Sequence, residues 1–365
     1  VMRGEHDSQT AAFCYVDLES RVRADHPLRA IKHMADGALR RLSPTFDGMY
    51  STVGRPSIPP ERLLKSMVLI ALYSVRSDRQ FCERLNFDMQ FRWFLDMNLE
   101  EPSFDASTFS KNRERLLEHA VSRKFFDEIV KLARKEELLS DDHFTVDGTL
   151  IEAWASMKSF VPNDQEDEDP PAGGGSNAEV DFRGQRRSNA THHSTTDDEA
   201  ELLRKGLGKE AKLCFGGHVL MENRNGLCVD VEVDRATTRE TEVAQRMLDR
   251  QRRRRIKPKS IGADKGYHSQ AFVDYCLRHK IRPHVAMISG RGTWGLTCKL
   301  VQSRGYEISQ RIRKRVEEIF GWAKTIGGLR KTRYRGVART NHLAEMVAAT
   351  YNLVRMARLL PLGVT

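Results

Sequence analysis

Two stretches of the chain run from apolar residues into an aspartate with a glycine close behind: Val146-Asp147-Gly148-Thr149 and Ala263-Asp264-Lys265-Gly266-Tyr267. The apolar residues read as strands and the glycines as turns. That pattern sets each carboxylate on a sheet rim, where loops open and ligands approach. One such aspartate is more often a turn former or helix cap, and two in one domain still prove little. A third stretch adds to them. Over residues 308–325 the pattern predicts a helix on which Arg313, Glu317 and Lys324 follow at spacings of four and seven. At about 100° per residue these three fall within roughly 40° of one another. Ile312, Val316, Ile319, Phe320 and Ala323 form an apolar face suited to docking on a sheet, with the polar stripe beside it. Glu318 lies about 140° around from Arg313, so helix geometry favours Glu317 without settling the choice. A ladder of ion pairs on an exposed helix is the plainer alternative.

Three carboxylates on one rim suit hard divalent cations such as Mg2+, with Mn2+ as a substitute. Two such ions activate a water or a 3′-hydroxyl and stabilise the leaving oxygen in an in-line attack on a phosphodiester. Arg313 and Lys324 carry the charge needed to hold backbone phosphates beside them. Further on, Arg330, Lys331, Arg333 and Arg335 surround Tyr334, a basic stripe with an interleaved aromatic. Such a stripe suits a nucleic-acid backbone, and a merely solvated basic loop is the competing reading.

Composition points the same way. The 365 residues hold 60 Lys plus Arg against 50 Asp plus Glu, a net charge of +10, which favours a polyanionic partner but no particular fold. Six scattered cysteines show no zinc-ligand spacing and read as reduced thiols. No apolar run approaches the roughly 18 residues that span a bilayer, and the first residues carry no signal-peptide core. A cytoplasmic, nucleoid-associated protein with no membrane partner is the expectation.

The elements that must position these groups fall into two parts after a tail over residues 1–14. Residues 15–135 read as an all-helical domain. Pro59-Pro60-Glu61 opens one helix, Ser77-Asp78 a second, and Asp105 caps a third that carries Lys111, Arg113 and Arg115. Short helices with a basic last member fit a helix-turn-helix-like DNA module, and a dimerisation scaffold fits the pattern equally well. Residues 136–360 read as α/β. A strand leads into Asp147, and a mobile insertion follows over about 158–195, acidic and then Pro/Gly-rich. A hairpin comes next, with strands 213–221 and 227–233 joined through Asn225-Gly226. Helices are expected at 241–250, 269–279, 308–325 and 341–359, with a strand at 260–264 between the first two. The sum is a mixed sheet flanked by helices.

Asp147 in Val-Asp-Gly-Thr, Asp264 in Ala-Asp-Lys-Gly-Tyr, and Arg313, Glu317 and Lys324 with three and then six residues between them resemble the DDE transposases of bacterial insertion sequences. The chain is most similar to the IS-five group with an InsH-type N-terminal domain, over about residues 13–360, the hairpin turn at 221–227 included. The resemblance implies a ribonuclease-H-like catalytic domain that cuts double-stranded DNA at the element's terminal inverted repeats and joins it to target DNA. It implies Asp147, Asp264 and Glu317 as catalytic metal ligands for two Mg2+ ions, and it supplies the stronger ground for Glu317 over Glu318. Lys265, Gln310, Arg313, Lys324 and the basic stripe are the candidate DNA contacts. One departure stands out: the family pattern has a tyrosine where this chain has Gln310. Two ends must be held together, so an active homodimer is expected. A nuclease on the same fold that cuts without joining is one alternative. A catalytically silent DNA-binding derivative is another, and the three intact acids argue against it.

Overall fold

The structure, a computed structural model, describes residues 17–50, 57–163, 187–204, 210–290 and 292–360. The tail over 1–14, Cys14 and the centre of the expected insertion at 158–195 lie outside the described residues.

Helices come first: α1 (Leu18–Arg21), α2 (Pro27–Asp47), α3 (Pro60–Leu72), α4 (Asp78–Arg84), α5 (Met89–Phe94), α6 (Ala106–Glu118) and α7 (Val121–Lys135). The starts follow from capping: Ser77 accepts a hydrogen bond from the Gln80 amide, and Asp105 one from the Thr108 amide. α3 is buried almost all round, as its apolar circumference requires. Of the three cations expected on α6, Arg113 points inward. It pairs with Asp78 and lies 4.6 Å over the Tyr334 ring, tying the helices to the far end of the chain.

Strands begin at β1 (Phe144–Glu152), followed by the small pair β2 (Phe160–Pro162) and β3 (His192–Ser194), then β4 (Glu201–Arg204), β5 (Ala211–Glu222) and β6 (Leu227–Arg235). After α8 (Glu240–Arg253) come β7 (Ser260–Ala263), α9 (Gln270–Arg278) and β8 (Arg282–Val285), then α10 (Cys298–Val301), α11 (Arg304–Ile312), α12 (Val316–Thr325) and α13 (Val337–Leu359). The main sheet runs β6-β5-β1-β7-β8, with β4 pairing the start of β5 beside β6. β5 is antiparallel to both β1 and β6, whereas β7 and β8 lie parallel to β1. Three antiparallel strands extended by two parallel ones make the ribonuclease-H-like arrangement, here preceded by helices and flanked by them. β8, with only four residues and a proline, offers too little pattern to be expected from sequence.

The predicted helix over 308–325 is not continuous. α11 starts at Arg304, tightens into a 3-10 turn over Arg313–Arg315, and resumes as α12. The cause lies in the hairpin: the Asn223 side-chain amide donates to the Ile312 carbonyl at 3.2 Å. Arg315 holds the same turn by donating to the Asn223 and Arg224 carbonyls at 2.8 and 2.9 Å. A carbonyl taken from outside leaves the helix ladder short at that point. Gly262 on β7 admits the crossing, because a Cβ there would come within 2.9 Å of the Ser309 hydroxyl and 3.2 Å of the Arg313 Cβ.

α13 is buried along most of its length and packs on β6, α2, α3, α7 and α12. It joins the helical part to the sheet, so the two share one apolar core. Among the described residues no helix is long and apolar enough to cross a membrane.

Candidate active site

β1 and β7 are adjacent and parallel, with Phe144 opposite Ile261 and Thr145 opposite Gly262, so Asp147 falls level with Asp264 just past the end of β7. Asp147 does not end its strand as the sequence suggested, because β1 runs on to Glu152 along β5. Each aspartate is held by a nearby glycine amide, Asp147 within β1 and Asp264 at the cap of the 3-10 turn over Lys265–Tyr267. Asp147 Oδ1 accepts from the Gly148 amide at 2.8 Å, and Asp264 Oδ1 accepts from the Gly266 amide at 2.8 Å. Among the described residues neither carboxylate has a further hydrogen-bond or ion-pair partner. The remaining oxygen of each is therefore uncommitted.

Alternation along β1 turns Thr149 toward α12, where Lys324 donates to its hydroxyl at 2.6 Å. Glu317 sits about two turns earlier on α12, exposed and without an ion pair among the described residues. Its charge is felt by Asp147, which burial, Asp264 and Glu317 together push up to about 6 against the pull of the Gly148 amide and Arg313. Glu318 is used otherwise, paired with Arg355 at 3.0 Å and Arg315 at 3.6 Å. Gln310 donates to the His284 carbonyl and accepts from Arg313 Nε at 3.0 Å, so it braces the arginine. Lys265, Arg330, Lys331 and Arg335 are exposed. Lys331 lies 5.7 Å over the exposed Trp154 ring, and Arg333 donates to the Val75 carbonyl at 3.2 Å.

Sequence reasoning missed Glu240, the first residue of α8. Its carboxylate leans over the glycine near each aspartate: Oε1 lies 2.9 Å from where a Cβ on Gly148 would sit, and Oε2 lies 2.9 Å from the same point on Gly266. Although much of the residue's surface is open, burial of the carboxyl, then Asp264 and Asp147, push its pKa up to about 7. Nothing in the sequence separates it from an ordinary acid in a helix first turn.

Two tests bear on a metal here. The donors are carboxylate oxygens without cationic partners, which is the set a hard divalent ion takes. Among the described residues, however, no three His, Cys, Asp or Glu side chains stand close enough to grip an ion as placed. The chemistry of the donor set fits, and the carboxylates must draw together around the ion.

A ribonuclease-H-like sheet with carboxylates on its rim defines a class of phosphodiester-cutting enzymes. Family models narrow the class. The Transposase domain (DUF772) model matches residues 16–115, and the Transposase DDE domain model matches residues 187–353. The chain belongs to the DDE transposases of insertion sequences and is a DDE transposase enzyme. The models define the family and not the IS-five group within it. Enzymes of this family use divalent metal ions.

No curated protein matches the sequence. Among solved structures the chain is similar to a piggyBac transposase synaptic complex with hairpin DNA, at 9% identity and TM-score 0.41, covering 91% of this chain and 75% of that one. It is also similar to a Mos1 transposase paired-end complex with the left transposon end, at 14% identity and TM-score 0.20, covering 76% and 81%. Both likenesses are too distant to argue from, and the fold assignment rests on the strand order.

Proposed function

We propose that Asp147, Asp264 and Glu317 carry metal-dependent cleavage at the element's ends and strand transfer into target DNA. The observation that supports this best is the pair of uncompensated aspartates on neighbouring parallel strands, with Glu317 beside them on α12. Two Mg2+ ions, or Mn2+ in their place, would be held by these three carboxylates. When bound, they supply an activated water or 3′-hydroxyl and stabilise the leaving oxygen. The chain's own groups orient the reaction. The Gly148 and Gly266 amides fix one oxygen of each aspartate and present the other. Arg313, braced by Gln310, and Lys324, held at Thr149, supply positive charge for the scissile phosphate and its neighbours. Lys265, Arg330, Lys331, Arg333 and Arg335 follow the backbone of double-stranded DNA away from that point.

Residues 15–135 would recognise the terminal inverted repeats or pair two copies of the chain, and residues 136–360 would hold the chemistry. Because both ends are processed together, a homodimer is the working form. A labelled element end incubated with target DNA and Mg2+ tests the proposal. Joined product supports it. Cut ends that never join would make the protein a nuclease, and a gel shift without cleavage would make it a silent DNA-binding derivative.

A further inference from the structure

We propose that Glu240 is a fourth carboxylate of this metal site, approaching from α8 the ions that Asp147 on β1 and Asp264 at the end of β7 would hold. The inference rests on the three-acid reading and adds to it a ligand from a different element. Its first support is geometric. One Glu240 oxygen faces Gly148 on β1, next to Asp147, and the other faces Gly266 in the turn after Asp264, each 2.9 Å from the position a glycine Cβ would take. The Asp264 carboxylate shares the second of these places, with Oδ1 3.1 Å from the same Gly266 position. Both glycines thus leave the space that this carboxylate occupies. A single residue bridges the two glycines.

The second support is a pair of buried polar side chains beside the acids. Tyr267 is fully buried, and its hydroxyl has no hydrogen-bond partner among the described residues. The charges acting on that hydroxyl are Glu240, Asp147 and Asp264, the acids of the cluster. A buried phenol without an acceptor is rare in a finished site. A carboxylate of the cluster that held an ion through one oxygen would accept from this hydroxyl through the other, the outer contact that orients metal ligands. His218 repeats the pattern. It is 3% exposed, both ring nitrogens lack partners, and Nδ1 lies 3.2 Å from the same Gly148 position that Glu240 overlooks.

The competing explanation is an acid that stabilises the start of α8 through the helix dipole. Glu242 stands in the same first turn, exposed and far less constrained, and can serve that end. An acid kept only for the dipole has no reason to press against two like charges.

Mn2+ binding to the full-length protein, followed by the electron paramagnetic resonance signal of free Mn2+, tests the idea without any readout of activity. Glu240→Gln, Asp147→Asn and Glu242→Gln are compared, each with its melting temperature in EDTA and in Mn2+. Glu240→Gln is expected to weaken Mn2+ at least about tenfold, the scale of lost support at metal sites. Its melting temperature in EDTA should equal or exceed that of the parent, because one of several repelling charges is gone. Glu242→Gln should bind Mn2+ as the parent does. If Glu240→Gln keeps parental affinity while Asp147→Asn loses it, the fourth ligand is wrong and the three-acid reading stands. Should Asp147→Asn also bind normally, both fall. A lower melting temperature for Glu240→Gln in EDTA, with Mn2+ affinity unchanged, would assign the residue to the helix alone.

Discussion

Asp147 and Asp230 lie on strands of the same sheet, β1 and β6, and are surrounded in opposite ways. Asp230 is fully buried yet compensated: Arg123 Nη1 reaches it at 2.8 Å, Arg250 Nε at 3.0 Å and Gln251 Nε2 at 2.8 Å. Arg123 also pairs with Glu345 on α13, so this cluster fastens the helical part to the sheet. Asp147 has one backbone amide, no ion pair among the described residues, and the like charges of Asp264, Glu317 and Glu240 acting with it, against only the unpaired pull of Arg313. Burial alone therefore does not mark a reactive acid. An acid whose charge the fold answers is a fastening, and one whose charge the fold leaves unanswered is reserved for a ligand.

Breaking the comparison at its strongest point gives the largest effect. Asp147→Asn, Asp264→Asn and Glu317→Gln should each abolish detectable cleavage of a labelled element end while a gel shift with the same DNA persists. Parental cleavage by any of them would remove that residue from the site. Asp230→Asn should do the reverse. Arg123 and Arg250 are only part-buried and keep Glu345 and Glu232, so the loss in urea unfolding is expected at or below the low end of the range for broken buried pairs, about 3 kcal/mol. A stable Asp230→Asn protein would show that this cluster does not hold the parts together.

The pH dependence sharpens the contrast by sign. Asp147 is raised from 3.8 to about 6, so in EDTA its contribution is full below pH 3.8 and is lost as pH rises through about 6. His143 and His342 are held down by burial from 6.5 to about 4, so their contribution is full above 6.5 and is lost as pH falls through about 4. Melting curves across this range should show the first slope shrink in Asp147→Asn, with the part owed to Glu240 and Asp127 left, and the second remain. The smallest effect belongs to Glu318→Gln. Its ion pairs are half-exposed, so stability should change by no more than about 1 kcal/mol and cleavage should persist. Loss of cleavage there would exchange the roles of Glu317 and Glu318.

Much of the fold was legible because it is written locally. Capping at Ser77 and Asp105, the hairpin through Gly226 and the strands running into Asp147 and Asp264 depend on neighbours in the chain. The break at Arg313–Arg315 was not legible, because the group that takes the Ile312 carbonyl is Asn223, distant in sequence. Arg113 read as a basic surface residue until Asp78 and Tyr334 closed around it. Glu240 was invisible for the same reason.

The sequence by itself determined which residues could hold an ion and which elements carry them, since strand alternation, turn residues and helical spacing are properties of short stretches. Only the tertiary structure decided which acids are compensated. That depends on cations arriving from other elements: Arg123 and Arg250 pair with Asp230, and Arg315 and Arg355 with Glu318. Among the described residues Asp147, Asp264 and Glu240 have no ion pair, and Arg313 only offsets part of the burial at Asp147. Charge compensation acts through space over a few ångströms, and proximity of that kind exists only once the chain has folded.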